Sequence, residues 1–141
     1  MNVPRIVVHT DLFLAHLCGD DHPSILRQAI SKFFCYATVF QAIEMFALAR
    51  TKKELMAVED SLAAVKLLGL NPKNAKKYGE LMALKPRRDR WDLLIAGLCV
   101  ESRLPLLTAR WRDFAGVRGL QIVPPALIAR HATGAEILKA L

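Results

Sequence analysis

No apolar run in this chain approaches the roughly 20 residues needed to cross a bilayer. The first nine residues, Met-Asn-Val-Pro-Arg-Ile-Val-Val-His, lack a charged stretch followed by a long apolar region and a small-residue cleavage site. The expectation is a cytoplasmic protein with no signal peptide and no membrane partner. Cysteine is scarce: Cys18, Cys35 and Cys99 are an odd set of three without C-x-x-C spacing, each in an apolar context. That argues for free buried thiols over disulfides or a zinc site. There is no GxxxxGK[ST], GxGxxG or GxSxG, so nucleotide-cofactor and serine-hydrolase chemistries have no motif support. His16, His22 and His131 form no H-x-x-x-H or Cys/His ligand pattern. Internal repeats, low-complexity segments and linkers are missing too.

What is present reads as globular. The chain has 141 residues, enough for one domain with a full core and too few for two ordinary ones, so 1–141 is read as a single domain. Hydrophobic residues make up 53% and charged residues 23%, which is folded rather than disordered composition. The net charge of +7 and a pI near 9.7 favour polyanions such as nucleic acid, or an acidic protein, through the field alone.

Taken in order, Arg5-Ile-Val-Val-His9 is β-branched and continuous, as in a strand buried on both faces. Asp11 reads as the N-cap of a helix through Cys18. After a turn at Gly19-Asp20-Asp21, Pro23 reads as the first position of a helix over 23–33. A second strand over 35–40 leads into a helix over 41–49. Thr51-x-x-Glu54 is a capping box, and the spacing of Leu55, Val58, Leu62, Val65 and Leu68 predicts a helix to about Leu68. Asn71 caps a helix from Pro72 to about Leu84, and Lys85-Pro86-Arg87-Arg88 is a basic connector. Gly119 to Val123 reads as a last strand, and 126–131 and 135–141 as short terminal helices. Strands alternating with helices predict an α/β fold with a parallel sheet of four or five strands.

The most informative stretch is 88–114, R-D-R-W-D-L-L-I-A-G-L-C-V-E-S-R-L-P-L-L-T-A-R-W-R-D-F. Asp89 and Asp92 open a helix with Leu93, Ala96, Gly97 and Val100 at helical spacing, a Leu-Pro break follows, and Leu106-Leu107-Thr108 is a short buried strand before Asp113-Phe114. Sites in parallel sheets collect beyond the carboxyl ends of the strands. His9 to Asp11, Glu44, Asp92 and Arg110 to Asp113 all fall just after a strand or in the first turns of a helix, so they are expected to converge on one rim.

These residues resemble the PIN-domain ribonucleases, including VapC-type toxins. That family opens with h-h-h-D-T-[ND], places a Glu in the helix after strand two, and carries D-x-x-I-A-A followed by L-V-T-R-[ND]-x-x-D-F. Here Asp11, Glu44, Asp92, Ile95-Ala96 with Gly97, Thr108, Asp113 and Phe114 fall in register. The resemblance implies a three-layer α/β/α domain and a Mg²⁺- or Mn²⁺-dependent endoribonuclease. It implies Asp11, Glu44 and Asp92 as metal ligands, with His9 beside them, and Arg110 and Arg112 on substrate phosphate. Thr108, Asp113 and Asp89 would support the site. A homodimer inhibited by a small antitoxin protein is implied as well. The chemistry asks for such acids because Mg²⁺ takes hard oxygen ligands and can generate a metal-bound hydroxide.

Each candidate has a plainer reading. Glu44 can be a helix-surface acid, Asp92 a favourable charge in a first helical turn, Asp89 an N-cap and Asp113 a turn cap. Trp91 and Trp111 suit core or interface packing as well as base stacking. The arginines 87, 88, 90, 110 and 112 suit a solvated basic face as well as phosphate contacts. Two positions depart from the family: His9 stands where it has its first Asp, and Arg110 where it often has Asn or Asp. Either His9 and Asp11 still help Glu44 and Asp92 hold an ion while Arg110 grips phosphate, or Arg110 pairs with the acids and fills the cation's place. The leading expectation is a ribonuclease with altered or weakened metal ligation. The competing one is an inactive domain that binds RNA or protein.

Overall fold

The computed structural model describes residues 3–19, 23–84 and 89–141, the side chain of Leu84 apart. The turn at Asp20, Asp21 and His22 and the connector Lys85 to Arg88 lie outside the described residues. A five-stranded parallel sheet organises the chain, with β1 (Arg5–Val8) at its centre between β2 (Phe34–Thr38) and β4 (Leu106–Leu107). Val7 of β1 is in register with Tyr36 on one side and Leu106 on the other. β3 (Lys66–Leu68) and β5 (Ile122–Val123) form the two edges.

Ile6, Val7 and Val8 are all fully buried, which is why β1 reads as a continuous apolar run. Ile6 and Val8 face a core with α1 (Thr10–Cys18), α2 (Ile25–Lys32), α3 (Val39–Leu48), α4 (Lys52–Ala63), α8 (Pro125–Arg130) and α9 (Gly134–Lys139). Val7 faces the second core, built on Ile95, Ala96 and Cys99 of α6 (Arg90–Ser102) and closed by Phe114 of α7 (Trp111–Phe114). α5 (Ala75–Leu84) packs outside α6. These are the three layers expected. No helix among the described residues is long and apolar enough to cross a membrane.

Several local expectations shift. The helix expected through Leu68 stops at Ala63, and Lys66 to Leu68 pair with Tyr36 to Thr38 instead. The free edge of β2 offers backbone partners that outweigh the helical spacing of Val65 and Leu68. Strand two gives up Val39 and Phe40 to α3, because Thr38 and Gln41 form a reciprocal capping box there. His9, not Asp11, is the N-cap of α1, and Asp11 lies inside its first turn. Ser24 caps α2, leaving Pro23 before the helix. The last strand is only Ile122–Val123, preceded by Gly119 at φ +81°. Of the three thiols, Cys35 and Cys99 are buried, whereas Cys18 is exposed at the end of α1.

Gly97 marks the closest approach of α6 to α5. A Cβ there would overlap Cε1 of Tyr78, with Cδ1 at 2.9 Å, and the ring is anchored by a 2.7 Å hydrogen bond from its hydroxyl to Glu101. Alanine gains about 1 kcal/mol of helix propensity over glycine, but overpacking costs roughly 1–3 kcal/mol. Gly97→Ala is therefore expected to lower the urea midpoint, by a net loss of about 1 kcal/mol. An unchanged or higher midpoint would show that Tyr78 yields.

Candidate functional site

The strand order reverses at β1: the chain builds outward through β2 and β3, then returns to add β4 and β5 on the other side. The crevice beyond the carboxyl ends of β1 and β4 is therefore the natural ligand position. His9 to Asp11 leave β1 there, and Thr108 to Arg110 leave β4. The amide of His9 donates to Leu107 O at 2.9 Å, which locks the two exits side by side. Gln41, fully buried, donates from Nε2 to Val8 O at 2.6 Å and so ties the start of α3 to the same strand end.

His9 is the centre of the cluster. Its ring is 2% exposed and meets Phe114 edge-on at 5.2 Å. Nδ1 lies 3.1 Å from Asp11 Oδ1, and Nε2 lies 3.1 Å from Asp92 Oδ1. The amide of Asp11 also approaches Nδ1, at 3.4 Å, but the carboxylate is nearer and both ring nitrogens face an acid. Burial opposes a charge on the ring, yet the hydrogen bonds and charges of Asp11 and Asp92 outweigh it, and the pKa is pushed up to about 9. The two acids thus favour the protonated ring.

Asp11 is held at one oxygen, while its buried Oδ1 lies 3.1 Å from His9 Nδ1 and has no hydrogen-bond partner among the described residues. Its Oδ2 accepts from the Thr108 hydroxyl at 3.1 Å, the Ala109 amide at 2.9 Å and the Arg110 amide at 3.3 Å. Burial works against its ionisation, but His9, Thr108 and Ala109 hold its carboxyl below the usual range. Asp92 is positioned by Asp89, whose side chain caps α6 by accepting from the Asp92 amide at 3.0 Å. Its carboxyl is likewise lowered, against burial, by His9 and Arg110. Arg110 donates from Nη2 to Asp92 Oδ2 at 2.9 Å and from Nε to Asp113 Oδ2 at 2.8 Å. Glu44 on α3 stands apart from these pairs. Among the described residues it accepts from the Thr10 hydroxyl at 3.2 Å, and burial pushes its carboxyl pKa up.

A cleft of about 460 Å³ opens in front of this cluster, lined among others by Asp89, Asp92, Arg110, Arg112 and Asp113. The Arg112 guanidinium stacks 4.9 Å over the Trp111 ring. Trp91 leans on Phe40 at 5.7 Å, and both tryptophans keep about two-fifths of their surface exposed. Sequence reasoning missed Thr10, Gln41 and the Ala109 amide as parts of the frame. Only Gln41 left a legible signal, the Thr38-x-x-Gln41 capping spacing.

Solved structures share this architecture. The DNA-bound VapBC complex from Salmonella typhimurium aligns with 16% identity and a TM-score of 0.71, over 86% of this chain and 98% of that one. A VapBC complex from Rickettsia felis bound to a DNA fragment from its promoter aligns at 16% and 0.70, over 85% and 98%. A VapBC complex from nontypeable Haemophilus influenzae gives 17% and 0.68, over 86% and 98%. The fold is PIN-like. No family model and no curated protein sequence matches the chain.

A PIN-like fold raises the question of a divalent cation, and the donor set answers it. Among the described residues no group of three or more His, Cys, Asp or Glu side chains is arranged to hold a metal ion. Both oxygens of Asp92 meet His9 or Arg110, and Asp11 Oδ2 meets the Thr108 hydroxyl and the Ala109 amide, while Asp11 Oδ1, without a hydrogen-bond partner among the described residues, has the His9 ring 3.1 Å away. An imidazolium and a guanidinium cannot ligate a cation and repel one nearby. As arranged, the expected ligands Asp11, Glu44 and Asp92 do not fit Mg²⁺ or Mn²⁺.

Proposed function

We propose that this chain is a toxin-type PIN-like protein that engages the RNA backbone at the cleft and is held by a small antitoxin protein. The observation that carries this reading is the cleft mouth. Arg112, stacked on an exposed Trp111, presents guanidinium and aromatic surface together beside the switch point of the sheet, next to half-exposed Arg110 in its pairs with Asp92 and Asp113. Phosphate contacts need the first and unpaired bases the second, and the net charge of +7 adds long-range attraction. The antitoxin reading is supported by the structural neighbours, among them a member of the VapBC family of toxin-antitoxin systems from Mycobacterium tuberculosis. Antitoxin capture and homodimerisation both call on apolar surface, and Ile43, Leu48, Leu55 and Met56 on α3 and α4 are exposed.

Fluorescence anisotropy with a labelled single-stranded RNA across a salt series tests the reading. Affinity should fall steeply with salt, and Arg112→Ala should reduce the slope of log K against log salt by about one. Trp111→Ala should weaken binding by roughly 1–3 kcal/mol at any salt. Binding that is insensitive to salt and to both variants would remove RNA from the cleft.

A second reading keeps hydrolysis: a Mg²⁺- or Mn²⁺-dependent endoribonuclease. The observation in its favour is Glu44, a half-buried carboxylate on the same rim whose pKa is raised by burial and which forms no ion pair among the described residues. Incubating a structured RNA with Mg²⁺ or Mn²⁺, beside an Asp92→Asn control, separates the two. Cutting that is lost in the control would favour the nuclease, and intact RNA at millimolar metal the binding protein.

A further inference from the structure

We propose that His9 and Arg110 together replace a divalent cation, so that the cluster is a metal-like centre built from side chains. The guanidinium brings a permanent positive charge and the imidazole turns one ring nitrogen toward each acid, so the two side chains occupy the space among the carboxylate oxygens. The His9 ring sits between the two acids, with Nε2 hydrogen-bonded to Asp92 Oδ1 at 3.1 Å and Nδ1 3.1 Å from the otherwise unpartnered Asp11 Oδ1. The guanidinium closes the second oxygen of Asp92 at 2.9 Å and reaches Asp113 at 2.8 Å. The remaining oxygen of Asp11 is satisfied by Thr108, Ala109 and the Arg110 amide.

The two groups differ in mobility, and that divides their roles. His9 is 2% exposed and wedged against Phe114, so it is a permanent part of the frame. The Arg110 side chain is 48% exposed and is held at the cleft mouth by ion pairs to Asp92 and Asp113. An incoming anion can draw it away from Asp92 without unpacking anything. The cluster thus keeps the shape and charge balance of a loaded site without depending on metal supply. This inference concerns the charge of the site and does not rest on RNA being its ligand.

Mn²⁺ alone is the probe. The protein, Arg110→Asn and the double variant His9→Asp/Arg110→Asn are titrated by calorimetry and melted with and without Mn²⁺. The unaltered protein should show no saturable binding at millimolar Mn²⁺ and no shift in melting temperature. Arg110→Asn should show saturable binding at millimolar Mn²⁺, since a like charge beside the acids is gone, and the double variant should bind about tenfold more tightly than Arg110→Asn. Mn²⁺ should raise the melting temperature of the double variant. Saturable binding by the unaltered protein matching that of the double variant would overturn the proposal, as would a folded double variant that ignores Mn²⁺. If the double variant does not fold even with Mn²⁺, Arg110→Asn decides alone: tighter binding supports the replacement and unchanged binding refutes it.

Discussion

Asp11→Ala is expected to destabilise the protein by about 3 kcal/mol or more in urea denaturation. Removing one partner of a buried ion pair leaves the other charge uncompensated, and losses of about 3–5 kcal/mol are typical. Here His9 keeps Asp92 at Nε2 but loses the acid beside its buried Nδ1, so its charge is only half compensated. The same substitution strips an acceptor from the Thr108 hydroxyl and the Ala109 amide, the two groups that shape the exit of β4. The Arg110 amide keeps the Thr108 hydroxyl as a 3.0 Å acceptor, so the exit loosens rather than dissolves. Asp113→Ala makes the contrast. Its carboxylate is 55% exposed and among the described residues pairs with Arg110 alone, so the change should stay within about 1 kcal/mol. Equal effects at the two positions would mean that Asp11 is a surface acid and that the account of the cluster is wrong.

Stability should also fall between about pH 6.5 and pH 9, an alkaline weakness unusual for a protein this basic. The sign follows from His9. Its pKa is raised from 6.5 to about 9 in the folded chain, so its contribution is complete below 6.5 and is lost as pH rises through 9. The shift corresponds to roughly 3 kcal/mol, shared with the two carboxylates that cause it. Asp11 and Asp92 work in the opposite sense, because their pKa values are lowered. Their contribution is present above the ordinary carboxylate range and is lost as pH falls through the lowered values. A plateau is thus expected from just above that range to about pH 6.5. Urea midpoints of the protein and of His9→Gln at about pH 6 and about pH 9 isolate the effect, since other groups titrate in both. Parallel profiles would show that His9 does not carry the charge.

Much of the architecture could be read directly from the chain. A run such as Ile6-Val7-Val8 has no polar face to offer solvent, so it had to be covered on both sides, and it is. The Asp89 cap and α6 follow from side-chain chemistry within a single turn, where neighbours in sequence are neighbours in space. The placement of His9, Asp11 and Arg110 on one rim follows from their positions just after β1 and β4. β3 was illegible for the opposite reason. Lys66 to Leu68 has little to bury, and only the open edge of β2, some thirty residues earlier, makes it a strand.

The site itself divides along the same line. Sequence alone determined which charges are present: an imidazole in place of the first acid, an arginine in place of an asparagine or aspartate, and the surviving Asp11, Glu44 and Asp92. It left open whether Arg110 turns outward to a ligand or inward to the acids. Only the tertiary structure decided that, through contacts between residues separated by 18 positions for Arg110 and Asp92 and by 83 for His9 and Asp92. Those separations are closed by the register of β1 against β4 and by the packing of α6 on the sheet. A local spacing rule cannot reach across such distances, because each pairing depends on where two independently formed elements come to rest.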